Sequence, residues 1–156
     1  HGLGCHVCLL RPKSTGEVTL NSNDAFDSPK IDPKFFSERE DMDIMIKGYR
    51  KMMQIMDAEP LRPFTRKVQD PVDINSDADI EAAMRARADT VYHPVGTCKM
   101  GSDDMSVVNH ELKVHALENV RVVDASIMPT LVGGNTNAPT IMIGEKAADM
   151  IKSVWA

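Results

Sequence analysis

At 156 residues the chain is long enough for one ordinary domain, or for a small domain with an added element. Hydrophobic residues make up 42% and charged residues 26%, a balance that excludes a disordered chain. A net charge of -5 without a Lys/Arg cluster argues against a nucleic-acid surface, and no apolar run is long enough to span a bilayer.

The chain starts at His1 rather than Met, with no signal peptide, and reads as an excised or truncated piece. Cys5, Cys8 and Cys98 are an odd number of thiols without a secretory signal, so reduced cysteines in a cytoplasmic protein are expected.

Residues 3–10 alternate, with Leu3, Cys5, Val7 and Leu9 on one face and His6 and Cys8 on the other, which predicts a half-buried strand. Turn chemistry follows over residues 11–16, and Glu17-Val18-Thr19-Leu20 returns as a second strand. A polar loop leads to Ser28-Pro29-Lys30-Ile31-Asp32-Pro33. From about Ser37, a candidate N-cap, the period changes to 3.6. Met42, Met45, Ile46, Tyr49, Met52, Met53 and Met56 then line one side of a helix. Eleven methionines are unusual, but Met fills irregular cores, so this stripe reads as a buried face rather than a cofactor or metal box.

Prolines 60, 63 and 71 hold an irregular connection before a short helix that Ser76 can cap and that ends near Arg87. Residues 91–98 read as an extended segment broken by Pro94 and Gly96. Residues 119–124 have the apolar run of a strand buried on both faces, as parallel strands are. A Gly/Asn loop over residues 133–137 then gives way to a helix from about Pro139 to Val154, with Ile143, Ala147, Met150, Ile151 and Val154 as its buried stripe.

The predicted fold class is α+β, an antiparallel sheet with helices on one side. A C-terminal strand-loop-helix is added, of the kind that completes a parallel α/β domain and cannot close a core alone. The texture divides near residue 115.

Two places invite a chemical reading. Asp124 would end the last strand, and Asn137, Ala138 and Pro139 would open the last helix, where N–H groups and the dipole favour an anion or a ring that becomes anionic on reduction. A polar turn satisfying its own backbone explains the same residues. His93, in an unusual backbone setting, could be a base, could hold an alkoxide, or could be structural. Cys5-His6-Val7-Cys8 suggests a metal site only weakly, because a second ligand pair is missing and an alternating strand would point the two thiols apart.

Residues 92–101, Tyr92-His93-Pro94-Val95-Gly96-Thr97-Cys98-Lys99-Met100-Gly101, resemble the histidine motif of the glucose-methanol-choline oxidoreductases. Residues 112–130 and 134–149, the latter opening Gly134-Asn135-Thr136-Asn137-Ala138-Pro139, resemble that family's closing segment. Leu10-Arg11-Pro12-Lys13-Ser14 and Ile31-Asp32-Pro33 resemble it too, so the likeness covers nearly the whole chain.

The resemblance implies an FAD enzyme that oxidises a CH–OH group of a small alcohol by hydride transfer to flavin. His93 matches the family's active-site histidine, and Asn135 matches the second catalytic position, with the wording leaning toward choline dehydrogenase-like members. Asp124 and Ala125 match residues near the pyrophosphate and ribityl chain of FAD, and Thr136 and Asn137 match the stretch that meets the flavin's pyrimidine edge. Residues 1–115 would then be part of a substrate-binding domain, and 116–156 the closing strand and helix of an FAD-binding domain. No G-x-G-x-x-G follows a strand here, so the FAD-binding half is expected to be missing and this piece alone is not expected to retain the cofactor. The alternative is a non-catalytic fragment that self-associates through surface left uncovered.

Overall fold

The structure, a computed structural model, describes residues 2–155. It is α+β and separates into two compact units, residues 1–89 and 90–156, so the break falls earlier than the texture change near 115.

In the first unit, β1 (Glu17–Thr19) pairs antiparallel with β2 (Lys30–Asp32), Val18 lying opposite Ile31. Gly16 enters this ribbon directly beneath the partner backbone. A Cβ there would lie 2.1 Å from the Asp32 carbonyl oxygen, so only glycine fits. The strand expected over residues 3–10 does not form. Alternation describes one edge of a ladder, and no second edge meets this segment among the described residues. Val7 instead lies against a helix, its Cγ2 2.7 Å from where a Cβ on Gly48 would project.

That helix, α1 (Arg39–Met56), carries the methionine stripe as expected. Met42 and Ile46 are buried, and Met45, Tyr49, Met52, Met53 and Met56 are half-buried. Its N-cap is Glu38 rather than Ser37, whose own N–H is turned back to the Lys34 carbonyl. A 3-10 turn over Glu59–Phe64 accommodates Pro60 and Pro63, and irregular chain through Pro71 leads toward α2 (Asp77–Arg87). Ser76 caps α2 by accepting from the Asp79 N–H at 3.2 Å. Met42 and Ile46 pack with Ile80 and Met84 of α2 as the core of this unit, and Arg39 and Arg50 of α1 pair with Glu81 and Asp77 of α2 outside it.

Asp41, 2% exposed, ties the Lys13–Ser14 turn to the start of α1. It accepts from the Lys13 N–H at 2.9 Å, the Ser14 N–H at 2.7 Å and the Ser14 hydroxyl. Desolvation opposes the Asp41 charge, but those three donors outweigh it and hold the carboxyl below its ordinary value.

Among the described residues the second unit has one α-helix, α3 (Asn137–Trp155), a short 3-10 turn over Ala125–Ile127, and otherwise irregular chain joined by single bridges. Its core is Val108, Leu112, Ile127, Met128, Ile143 and Ala147. The expected parallel strand over residues 119–124 is not formed. The segment folds back on residues 112–114, with Val114 N–H to the Val120 carbonyl at 3.0 Å and Val122 N–H to the Leu112 carbonyl at 3.1 Å. Asn119 makes the reversal in the left-handed region, which asparagine tolerates. Val120 and Val123 are consequently 41% and 36% exposed instead of buried on both faces. On α3, Ile143 and Ala147 are buried and Met150 half-buried as expected, but Ile151 and Val154 face outward. No helix among the described residues is long and apolar enough to cross a membrane.

Candidate functional site

His93, Asp124, Ala125, Asn135, Thr136 and Asn137 all lie in the second unit, and hydrogen bonds between distant segments assemble them. Residues 98–100 run alongside residues 126–127, with Cys98 N–H to the Ser126 carbonyl at 3.0 Å and Met100 N–H to the Ile127 carbonyl at 2.8 Å. Gly96, at φ +88, makes the turn that leads into this pairing, and a Cβ there would lie 3.4 Å from the Met128 carbonyl oxygen. Upstream, Tyr92 takes a left-handed conformation, φ 63, and its N–H is held by the Thr90 hydroxyl at 3.0 Å.

This course delivers the half-buried His93 ring to the lead-in of α3. Its Nε2 lies 2.9 Å from the Asn135 side-chain amide nitrogen, and its Nδ1 lies 2.9 Å from the Thr136 hydroxyl. The Thr136 backbone N–H also points at Nδ1, from 3.5 Å. Thr136 is buried while Asn135 is exposed, so one of the two contacts is anchored in the core and the other opens to solvent. Thr140, one turn into α3, returns both its N–H, at 3.0 Å, and its hydroxyl, at 2.6 Å, to the Thr136 carbonyl.

Asp124 does not end a strand. It is an exposed residue whose carboxylate caps the 3-10 turn Ala125–Ile127, accepting from the Ser126 N–H at 2.8 Å and from the Ser126 hydroxyl. Ala125 is half-buried within that turn, next to the residues bonded to Cys98 and Met100. Asn137 and Ala138 are exposed at the N-terminal end of α3, where helix N–H groups lack intrahelical acceptors. The structure therefore joins His93, Asn135 and Thr136 by direct contact and sets Asp124, Ala125 and Asn137 on neighbouring backbone.

The Thr136 hydroxyl contact with His93 is not readable from the sequence, where Thr136 is only one small polar residue in an Asn-rich loop. Asp103 is another residue the sequence did not single out. The Lys99 ammonium first, then the Ser106 hydroxyl and the Met105 N–H, lower its carboxyl to about 2, and it organises the loop after residue 101. Cys5 and Cys8 are exposed free thiols. No group of three or more His, Cys, Asp or Glu among the described residues is gathered to hold a metal.

A family model described as GMC oxidoreductase, for the C-terminal part of that family, matches residues 12–144. An alcohol dehydrogenase [acceptor] of Pseudomonas putida is 50% identical over 152 residues, covering 97% of this chain and 28% of the relative. An oxygen-dependent choline dehydrogenase of Cronobacter sakazakii is 44% identical over 153 residues, covering 97% of this chain and 27% of the relative. Among solved structures, a formate oxidase of Aspergillus oryzae RIB40, studied for its FAD modification, superposes with a TM-score of 0.87 at 35% identity, over 93% of this chain and 26% of that one. The chain thus spans little more than a quarter of the length of these relatives.

Proposed function

The chain belongs to the GMC oxidoreductase family, and from that premise we propose that it supplies the catalytic pair of an FAD-dependent enzyme oxidising the CH–OH group of a small alcohol. The observation that carries this reading is the direct contact of His93 with Asn135 across 42 positions of sequence. Two polar side chains so joined, one end open to solvent, suit a substrate oxygen.

In this reading His93 engages the substrate hydroxyl and Asn135 hydrogen-bonds the same oxygen, together fixing the reacting carbon's orientation. FAD, when bound, supplies the hydride acceptor. The open N-terminal end of α3 fits that cofactor, because it offers N–H donors and a positive dipole end to an electron-rich ring. Asn137, beside Thr136 at the start of α3, would meet the ring, and Asp124 and Ala125 the pyrophosphate side. The likeness to an alcohol dehydrogenase and a choline dehydrogenase supports an alcohol substrate, with choline-like alcohols the first to try. The exposed free thiols of Cys5 and Cys8 suit a reducing, cytoplasmic setting.

The test is anaerobic mixing of the whole flavoenzyme with a panel of primary alcohols, followed by flavin absorbance. Bleaching by alcohols in the native protein and not in the His93→Ala variant is expected. Bleaching at the native rate in the variant would overturn the role of His93.

The 156-residue chain by itself is expected to purify without flavin, because no Gly-rich phosphate-binding turn is present in it. Stoichiometric yellow absorbance would refute this. A second reading, self-association of the isolated chain, is favoured by Ile141, Met142 and Val154, which leave α3 with apolar surface 59%, 57% and 61% exposed. Sedimentation at rising concentration distinguishes a monomer from this outcome.

A further inference from the structure

Three groups meet the His93 ring, and one arrangement of protons satisfies them all. The Thr136 backbone N–H is fixed by its peptide plane and directed at Nδ1. A backbone N–H can only donate, so even at this long separation it favours a lone pair on Nδ1, which it shares with the closer hydroxyl. The Thr136 hydroxyl, 2.9 Å from the same nitrogen, can turn its hydrogen toward it. That residue is 7% exposed, and among the described residues the ring is the hydroxyl's hydrogen-bond partner, so a hydrogen turned away would lack an acceptor.

A neutral imidazole with a bare Nδ1 carries its proton on Nε2. Nε2 faces the Asn135 amide, whose oxygen and nitrogen ends exchange by a half turn. With Oδ1 toward the ring, Nε2–H donates to it and the amide NH₂ faces solvent. The opposite tautomer would set the Nδ1–H against the Thr136 N–H and strand the hydroxyl hydrogen.

We infer that Thr136 is a positioning residue that holds His93 in its Nε2–H tautomer, so that the ring presents a donor toward Asn135 and the open side of the site. The tautomer stands on geometry alone. Its bearing on turnover rests on the reading that His93 meets the substrate oxygen, to which this tautomer offers a hydrogen bond.

Long-range ¹H–¹⁵N correlation spectra of the ¹⁵N-labelled chain, at about pH 8.5 where ordinary imidazoles (about 6.5) are neutral, test this. The His93→Gln spectrum assigns the His93 signals. His115, whose Nε2 lies 3.0 Å from the Gly101 carbonyl and so must donate, is an internal standard for the same tautomer. The expected result is a bare Nδ1 and a protonated Nε2 at His93. Thr136→Val is expected to collapse that pattern to averaged shifts, and Thr136→Ser to restore it, with His115 unchanged in both. A protonated Nδ1 in the native chain would overturn the inference whatever the variants do, and so would a Thr136→Val spectrum identical to the native one. Because this readout needs no turnover, its failure leaves the catalytic reading of His93 standing. Conversely, full activity in His93→Ala would end that reading while leaving the tautomer in place.

Discussion

The two units stabilise themselves in different ways. The first packs two regular helices through Met42, Ile46, Ile80 and Met84, with ion pairs outside. The second buries a larger core under chain with little regular structure, in which Tyr92, Leu112 and Asn119 adopt left-handed conformations. Helices satisfy their own backbone and leave side chains free to pack. Irregular chain must satisfy each N–H and C=O with a specific partner, and that expense lets it aim side chains where no helix or strand would. The candidate site lies in the second unit.

The largest effect that can break this comparison is in turnover. In the whole enzyme, His93→Ala should cost about 10²–10⁴-fold, the range for a positioned proton-handling or hydrogen-bonding histidine. Asn135→Ala should cost about 10²–10³-fold at most, the loss of one donor. Steady-state rates on the best alcohol check both, and equal, small losses would reduce the pair to a structural contact.

Next comes stability in the first unit. Asp41→Ala strips acceptors from the Lys13 and Ser14 N–H groups and should cost about 1.5–3 kcal/mol in denaturant unfolding. The His93 imidazole signals should not move. Since the folded Asp41 carboxyl lies below its ordinary 3.8, its contribution is present above that value and disappears as pH falls through the folded one. An unfolding free energy flat with pH across that acid range in wild type, relative to Asp41→Asn, would contradict this.

Gly96→Ala is a smaller test in the second unit. Placing a Cβ at φ +88 should cost about 1–2 kcal/mol. The smallest effect is expected at Asp103, whose side chain is 58% exposed. Asp103→Asn should barely shift the thermal midpoint at neutral pH. Any difference from wild type should be complete above 3.8 and vanish as pH falls through about 2.

The same contrast explains what could be read in the sequence. Helical features are local, so the Met stripe of α1, the Ser76 cap and the Ile143–Ala147 face were visible in residue order alone. Residues 3–10 and 119–124 have the right alternation and apolarity for strands, yet a strand is defined by a partner. Val7 met Gly48, and residues 120–122 met residues 112–114, so neither became the expected strand. For the site, His93 and Asn135 were identified through family resemblance, and local sequence alone left His93 open between catalytic and structural roles. Thr136 was expected to serve the cofactor, but its hydroxyl is turned to a histidine 43 positions away, a pairing no local pattern encodes.

The Thr136 carbonyl is gripped twice by Thr140, through its N–H and through its hydroxyl. A peptide held by two donors on one oxygen has little freedom to swing, so the loop that presents Asn135 is already ordered where it enters α3. Ordering a flexible backbone costs about 1–2 kcal/mol per residue. In this loop much of that loss has been met during folding, and a ligand that settles there finds its partners waiting instead of having to gather them.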